Sequence, residues 1–328
     1  MDPDRSQFSR GYVIALTSAA VLSTTAIFIR YLTQTYQIPS LVLAFWRDLF
    51  VPLCLLPLFG LLRPALLRFS RGHLGYLLAY GLVLAGFNAS WTLSVALNGA
   101  AIATVLAYSS AAFTALLGRL LLKEHLGWGK ILVVALSLGG CVLVSNALDL
   151  EAWSANVVGI LSGLLSGLLY AMYSLMGRSA AQRGLNPWTT LTYTFAFAAG
   201  FLLIFNLLPG GGLPGAAARP AELFWLGTDL TGWGILVLLS IGPTVLGFGL
   251  YNVSLSLLPS IVVNLIATTE PVFTSVIAYF LLGERLTLVQ ILGGLMILGG
   301  VVFLRIYETG LAGRAQRHVK RNIGKSID

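Results

Sequence analysis

Residues 270–304 read EPVFTSVIAYFLLGERLTLVQILGGLMILGGVVFL. Two apolar runs flank GERL at 283–286, and the first opens on a carboxylate next to a helix-breaker. The stretch has a degenerate twin earlier in the chain. Shifting the sequence by 160 residues lays 87–145 over 247–305 without a gap, and 15 of those 59 positions are then identical. KEHL (123–126) meets GERL, LGGCV (138–142) meets LGGVV (298–302), and Phe113 and Thr114 meet Phe273 and Thr274. The segments before them match at a shift of 148, with Gly11 over Gly159, Arg30 over Arg178 and Pro39 over Pro187. Self-similarity at a fixed shift marks a repeated structural unit, so the chain is two copies of one unit.

Composition says what kind of unit it is. Hydrophobic residues make up 57% of the 328 and charged residues only 10%, against about 25% charged in a soluble domain. Apolar stretches of roughly 18 to 25 residues recur, the length that crosses a ~30 Å hydrocarbon core. Ten helices are predicted near 11–32, 40–62, 74–96, 100–121, 128–146, 157–180, 188–208, 232–256, 260–282 and 288–307. The organisation that follows is a short N-terminus (1–10), a first five-helix unit (11–146), a linker (147–156), a second unit (157–307) and a basic tail (308–328), read as flexible. The remaining long connection is a Gly/Pro-rich loop at 208–232.

Charge sets the expected orientation, because Lys and Arg accumulate on the cytoplasmic side. With the N-terminus inside, the inner segments hold Arg5, Arg10, Arg63, Arg68, Arg71, Arg119, Lys123, Lys130, Arg178, Arg183 and six more from Arg305 to Lys325, sixteen of the twenty. Arg30, Arg219 and Arg285 fall at the outer side, and Arg47 lies within a span. Both termini are therefore expected in the cytoplasm, with the protein multi-pass in the cell membrane. The net charge of +8 then reports inner loops and anionic lipid, not nucleic acid. No cleaved signal peptide is expected, since the mixed-charge N-terminus leads into a span of full length. Cys54 and Cys141 each sit in an apolar run without metal-ligand spacing and read as buried packing residues.

Five crossings is an odd number, so the two units enter the bilayer in opposite senses. The charges agree: Arg119, Lys123 and Lys130 on the inner loop stand opposite Tyr279, Gly283 and Gln290 on the outer one. Inverted repeats of this kind hold a solute near the midplane between them. On these residues the chain resembles the drug/metabolite transporter superfamily, specifically proteins with two EamA-type repeats. The likeness covers about 11–305 and is carried by the 270–304 segment, its twin, and the Pro39-to-Arg47 spacing in PSLVLAFWR. It implies an all-α membrane protein of ten transmembrane helices, arranged as two inverted five-helix repeats around a central cavity, and alternating access. It also implies that helices one, three, four, six, eight and nine line the cavity, with five and ten peripheral. The first half departs from the pattern: Ser110 and Ala111 stand where the second half has Glu270 and Pro271. Phe195 stands opposite Arg47. Any polar site is thus expected to be asymmetric.

The candidate site residues follow from cost. Glu270 sits about ten residues from either end of its span, where a charge costs on the order of 3 kcal/mol on insertion scales. It is expected to face protein or water, either as a protonatable coupling and binding group or as a polar tie between helices. Pro271 cannot donate its backbone bond and sets a helix kink of the kind tolerated beside a cavity. On a straight helix Asn264, Thr268, Pro271 and Ser275 share one face, and Glu270 lies about 100° away. The Asn264–Thr268 face is therefore the expected cavity wall, which Glu270 reaches only through a distortion at Pro271. Arg47 and Asp48, the other intramembrane charges, point about 100° apart as sequence neighbours and are not expected to pair with each other. Arg47 reads as a carboxylate binder, a partner for Glu270, an interhelical ion pair or a snorkelling group. Asn88, Trp91 and Ser94 share helical spacing, and Tyr251 and Asn252 stand in the equivalent region of helix eight. Tyr108, Tyr170 and Tyr173 add mid-span rings with polar tips, which suit either a pocket for an organic solute or a satisfied core. Gly159, Gly163 and Gly167, like Gly139, Gly140, Gly299 and Gly300, read as surfaces for close helix approach.

No GxxxxGK[ST] or HExxH occurs, and no nucleophile–base pair is legible. Neither an enzyme, a metal site nor a cofactor is expected. The expected partners are a small-molecule solute and the lipid bilayer, and the sequence is compatible with a homodimer. The functional expectation is a secondary transporter, an exporter of small organic metabolites such as amino acids. The alternatives are efflux of amphipathic or cationic compounds and a non-transporting membrane sensor on the same fold.

Overall fold

A computed structural model describes residues 3–144, 157–208, 212–282 and 287–324, which form helices and turns with no strand among them. Nine helices among the described residues are long and apolar enough to cross a bilayer. In chain order the spans are α1 (Gln7–Thr35), α2 (Ser40–Leu62), α3 (Arg71–Gly99), α4 (Ile102–Leu121), the shorter apolar α5 (Trp128–Val144), α6 (Val157–Gln182), α7 (Pro187–Asn206), α8 (Leu230–Leu257), α9 (Ser260–Ile277) and α10 (Leu288–Glu308). The ten-helix expectation thus holds, with α5 ending where the described residues end. The helix containing α10 continues to Gly324, through the basic tail read as flexible.

Small residues decide which helices touch. The stripe Gly159, Gly163 and Gly167 seats α6 against α3 and α4. A Cβ at Gly163 would lie 2.6 Å from Leu106 and 2.7 Å from Ser94, and one at Gly167 would lie 2.8 Å from the Leu106 carbonyl. On the other side of the bundle α5 and α10 pack mainly on each other. Their backbones meet at Gly140 and Gly293, where a Cβ on either would stand 2.7 Å from the other's carbonyl oxygen. Gly299 faces open space instead, so it takes no part in that contact. The α5–α10 pair is peripheral, as the resemblance implies.

The two halves turn equivalent corners with different chemistry. Gly99 ends α3 at φ 77, a left-handed conformation that a side chain resists. Its repeat counterpart is Pro259, which starts α9 after an extended Leu258. Arg305 Nη2 donates to Ser9 Oγ at 3.0 Å, so the first and last helices meet at one end of the bundle, the terminal end. At the far end the connection after α7 is folded onto the protein. Leu41 N donates to Gly215 O at 2.9 Å, Trp46 Nε1 to Leu223 O at 2.5 Å and Trp225 Nε1 to Tyr36 O at 2.9 Å. Trp46 also meets Trp233 edge-on at 4.9 Å. Residues 212–232 of the Gly/Pro-rich loop therefore serve as a packed cover over the far ends of α1, α2 and α8.

Candidate functional site

Four helices lose regularity near mid-depth, and the irregular points converge. Helix α1 stops at Leu22 and resumes at Thr25, where Ser23 Oγ donates to Ala20 O at 2.7 Å and Thr24 Oγ1 to Val21 O at 2.8 Å. Helix α4 breaks at Ser109, whose hydroxyl donates to Leu106 O at 2.6 Å. Helix α9 breaks between Ala267 and Glu270, with Thr268 Oγ1 on Leu265 O at 2.6 Å and Thr269 Oγ1 on Ile266 O at 2.8 Å. Hydroxyls that bond back to their own helix compete with its ladder and bend it. Helix α8 passes through a π-helical stretch, Ser240–Gly247, that contains Pro243. Ser109 and Thr269 are repeat equivalents, and so are their acceptors Leu106 and Ile266. Since α4 has no proline there, the break belongs to the repeat rather than to Pro271. Pro271 instead falls in the first turn of the resumed helix Glu270–Leu282, where a backbone N–H would lack a helical partner in any case.

Between these breaks lies a cavity with about 620 Å³ of empty space including its mouth, about 60 Å³ of it wide enough for water. Its walls come from α1, α2, α3, α4, α6, α8 and α9, the six helices implied by the resemblance plus α2. Phe87, Trp91, Tyr170 and Phe248 form the apolar side, and Tyr170 stacks on Phe87 at 4.9 Å. The polar side holds Arg47, Asn88, Tyr108 and Glu270. Glu270 is half-buried at the start of its helix segment, where the N-terminal partial charge favours an anion. The Tyr108 hydroxyl stands beside its carboxylate. Thr274 Oγ1 donates at 2.9 Å to Ser23 O, a carbonyl at the break of α1.

Arg47 and Asp48 do pair, contrary to the expectation from helical geometry. Arg47 Nε reaches Asp48 Oδ1 at 3.3 Å, with both side chains buried, because the long arginine stem can fold back over the 100° that separates the two Cβ directions. Asp48 Oδ2 also accepts from Asn88 Nδ2 at 2.6 Å. Two polar atoms of this cluster stay unmet by protein among the described residues: Arg47 Nη2, a donor, and Asn88 Oδ1, an acceptor. Both residues contribute to the cavity wall, and both atoms are buried.

The comparisons with known proteins agree with this architecture. The model of the EamA-like transporter family matches twice, at residues 9–146 and 157–306. The chain belongs to that family. An "uncharacterized transporter" of Archaeoglobus fulgidus is 27% identical over 297 residues, 89% of this chain and 95% of that protein. The threonine/homoserine exporter RhtA of Salmonella typhimurium is 28% identical over 239 residues, 72% of each chain. A crystal structure that shares 17% identity superposes with a TM-score of 0.72 over 92% of this chain and 99% of the other, which shows the fold alone.

Within this EamA-like transporter the Asn264–Thr268 face is not a cavity wall. Asn264 is fully buried. Its Oδ1 accepts from Ser110 Oγ at 3.1 Å, and its Nδ2 donates to Ser174 Oγ at 3.2 Å and Tyr251 Oη at 3.4 Å. Tyr251 and Ser174 share a hydrogen bond of 2.7 Å. Thr268 is spent on its own helix. These groups tie α4, α6, α8 and α9 together, while the break at Thr268–Thr269 turns Glu270 toward the cavity. The straight-helix expectation fails for that reason. Asn252 and Tyr173 belong to a further tie, with Asn252 Nδ2 on Tyr173 Oη at 2.8 Å and Tyr80 Oη on Asn252 Oδ1 at 3.4 Å. Ser94 bonds Gly159 O at 2.8 Å. Sequence reasoning missed Ser23, Thr25, Thr104 and Thr274 on the cavity wall. The run Ser23-Thr24-Thr25 in mid-helix was the available signal.

Proposed function

We propose that the protein exports amino acids or closely related zwitterions by alternating access. One observation carries this reading: Arg47, whose buried Nη2 has no protein partner among the described residues, and Glu270 line one cavity. A zwitterion supplies an anion for the first and a cation for the second. Asn88 Oδ1 is a further acceptor for an ammonium group, and the Phe87, Trp91 and Tyr170 wall suits an aliphatic side chain. The likeness to a threonine/homoserine exporter supports the same class. The charge distribution supports a cytoplasmic terminal end. Glu270 is also the group through which a proton would be exchanged for the solute.

The test is thermal stability of the purified protein against threonine, homoserine, other amino acids and lipophilic cations. At ten times its dissociation constant a ligand stabilises by about 1.4 kcal/mol. The expected result is stabilisation by an amino acid in wild type, lost in Glu270→Gln. Stabilisation by lipophilic cations alone would replace this reading with efflux of cationic compounds. No stabilisation by any compound would favour the non-transporting sensor.

A further inference from the structure

Two charges clasp the turn between α8 and α9 at the terminal end. Arg178 Nη1 donates to Leu255 O at 3.0 Å and Ser256 O at 3.1 Å, in the last turn of α8. Glu124 accepts from Ser260 N at 2.8 Å, Ser260 Oγ at 2.7 Å and Ile261 N at 3.3 Å, in the first turn of α9. Each charge sits at the helix end whose partial charge it complements. Arg178 thus fastens the end of α6 to the end of α8.

The first repeat has the same parts in another arrangement. Arg30 occupies the position of Arg178, Val95 and Ala96 those of Leu255 and Ser256, and Gly99 that of Pro259. All four line a second cavity at the far end, with about 710 Å³ wide enough for water. Arg30 is exposed, and its guanidinium has no hydrogen-bond or ion-pair partner among the described residues. The cation that is doubly bonded at one end therefore has a mirror image standing across an open vestibule at the other.

We propose that Arg30 is the gating residue of the far end. When the transporter reverses, Arg30 takes the carbonyl oxygens of Val95 and Ala96, as Arg178 takes those of Leu255 and Ser256 here, and the vestibule closes while Arg178 lets go. At Arg178 one guanidinium nitrogen, Nη1, serves both carbonyls, and the planar, pre-organised guanidinium holds that nitrogen in place at less entropic cost than a freely rotating lysine ammonium. The inference rests on alternating access but not on the identity of the solute, and its test uses none.

Spin labels at Gln34 and Leu97, in a full-length background free of Cys54 and Cys141 and reconstituted in lipid, report the width of the vestibule. Two distances are expected, long for this state and short for the reversed one. Arg178→Ala should enrich the short distance, and adding Arg30→Ala should deplete it again by about ten- to a hundredfold, the equilibrium effect of losing charged hydrogen bonds. Arg30→Lys keeps the charge without the planar guanidinium and should fall between. A short-distance population that survives undiminished in the double variant, or one that Arg30→Ala increases, would overturn the proposal. Failure of threonine or homoserine to bind would leave these distances unaffected, so the two readings fail separately.

Discussion

Helices α4 and α9 break at the same point of the repeat and do opposite things with it. Ser109 and Thr269 turn equivalent hydroxyls onto equivalent carbonyls. The next residue is Ser110 in one and Glu270 in the other. Ser110 is fully buried and reaches across to Asn264 of α9, whereas Glu270 looks into the cavity. The exchange runs both ways: Asn264 is locked in packing, and its own counterpart Thr104 lines the cavity. The same asymmetry holds in α2 and α7. Arg47 and Asp48 form a buried pair, while Phe195, in the place of Arg47, packs on Phe248 at 5.5 Å. The break is thus common architecture that brings half-helix ends to mid-depth, and the charge is a specialisation of one half at a time.

The sharpest way to break this comparison is to give both halves the same acid. Ser110→Glu buries a carboxylate against Asn264, and no folded protein is expected from a membrane preparation. Recovery of folded protein at wild-type yield would mean that packing does not enforce the asymmetry. Asp48→Asn should follow in size, lowering the unfolding free energy in detergent by about 3 kcal/mol, because it leaves Arg47 buried without a counter-charge. Replacing the pair with the residues of the second half, Arg47→Phe with Asp48→Ala, should recover most of that stability while solute binding stays lost, since buried ion pairs often exchange for apolar groups at little cost. Gly167→Ala should cost about 1–3 kcal/mol, as the new methyl meets the Leu106 carbonyl where α6 crosses the break of α4. The smallest effects are expected for Ser109→Ala and Thr269→Val, about 1 kcal/mol each. Similar values for the two would confirm that the breaks are equivalent, and a large excess at Thr269 would return the cause to Pro271.

Much of this molecule is written locally. Ten apolar runs, the 160-residue shift and the odd helix count per unit establish two inverted halves, because membrane insertion depends on the composition of each segment and inversion is a matter of parity. The same local cost argument marks Arg47, Asp48 and Glu270 as residues that need a reason to be in a bilayer. Which way they face is not local. The break at Thr268–Thr269 separates Glu270, which lines the cavity, from Asn264, which is a tie among four helices. Arg47 finds Asp48 because a flexible stem outweighs the angle between neighbours. The 208–232 loop reads as a plain connection, yet its Trp225 indole bonds to the Tyr36 carbonyl and its Leu223 carbonyl accepts from the Trp46 indole at the far end. Segment composition sets how many helices cross and in what sense. The faces they turn to the cavity follow from side-chain bonds and close contacts between residues far apart in the chain, which exist only once the helices are packed.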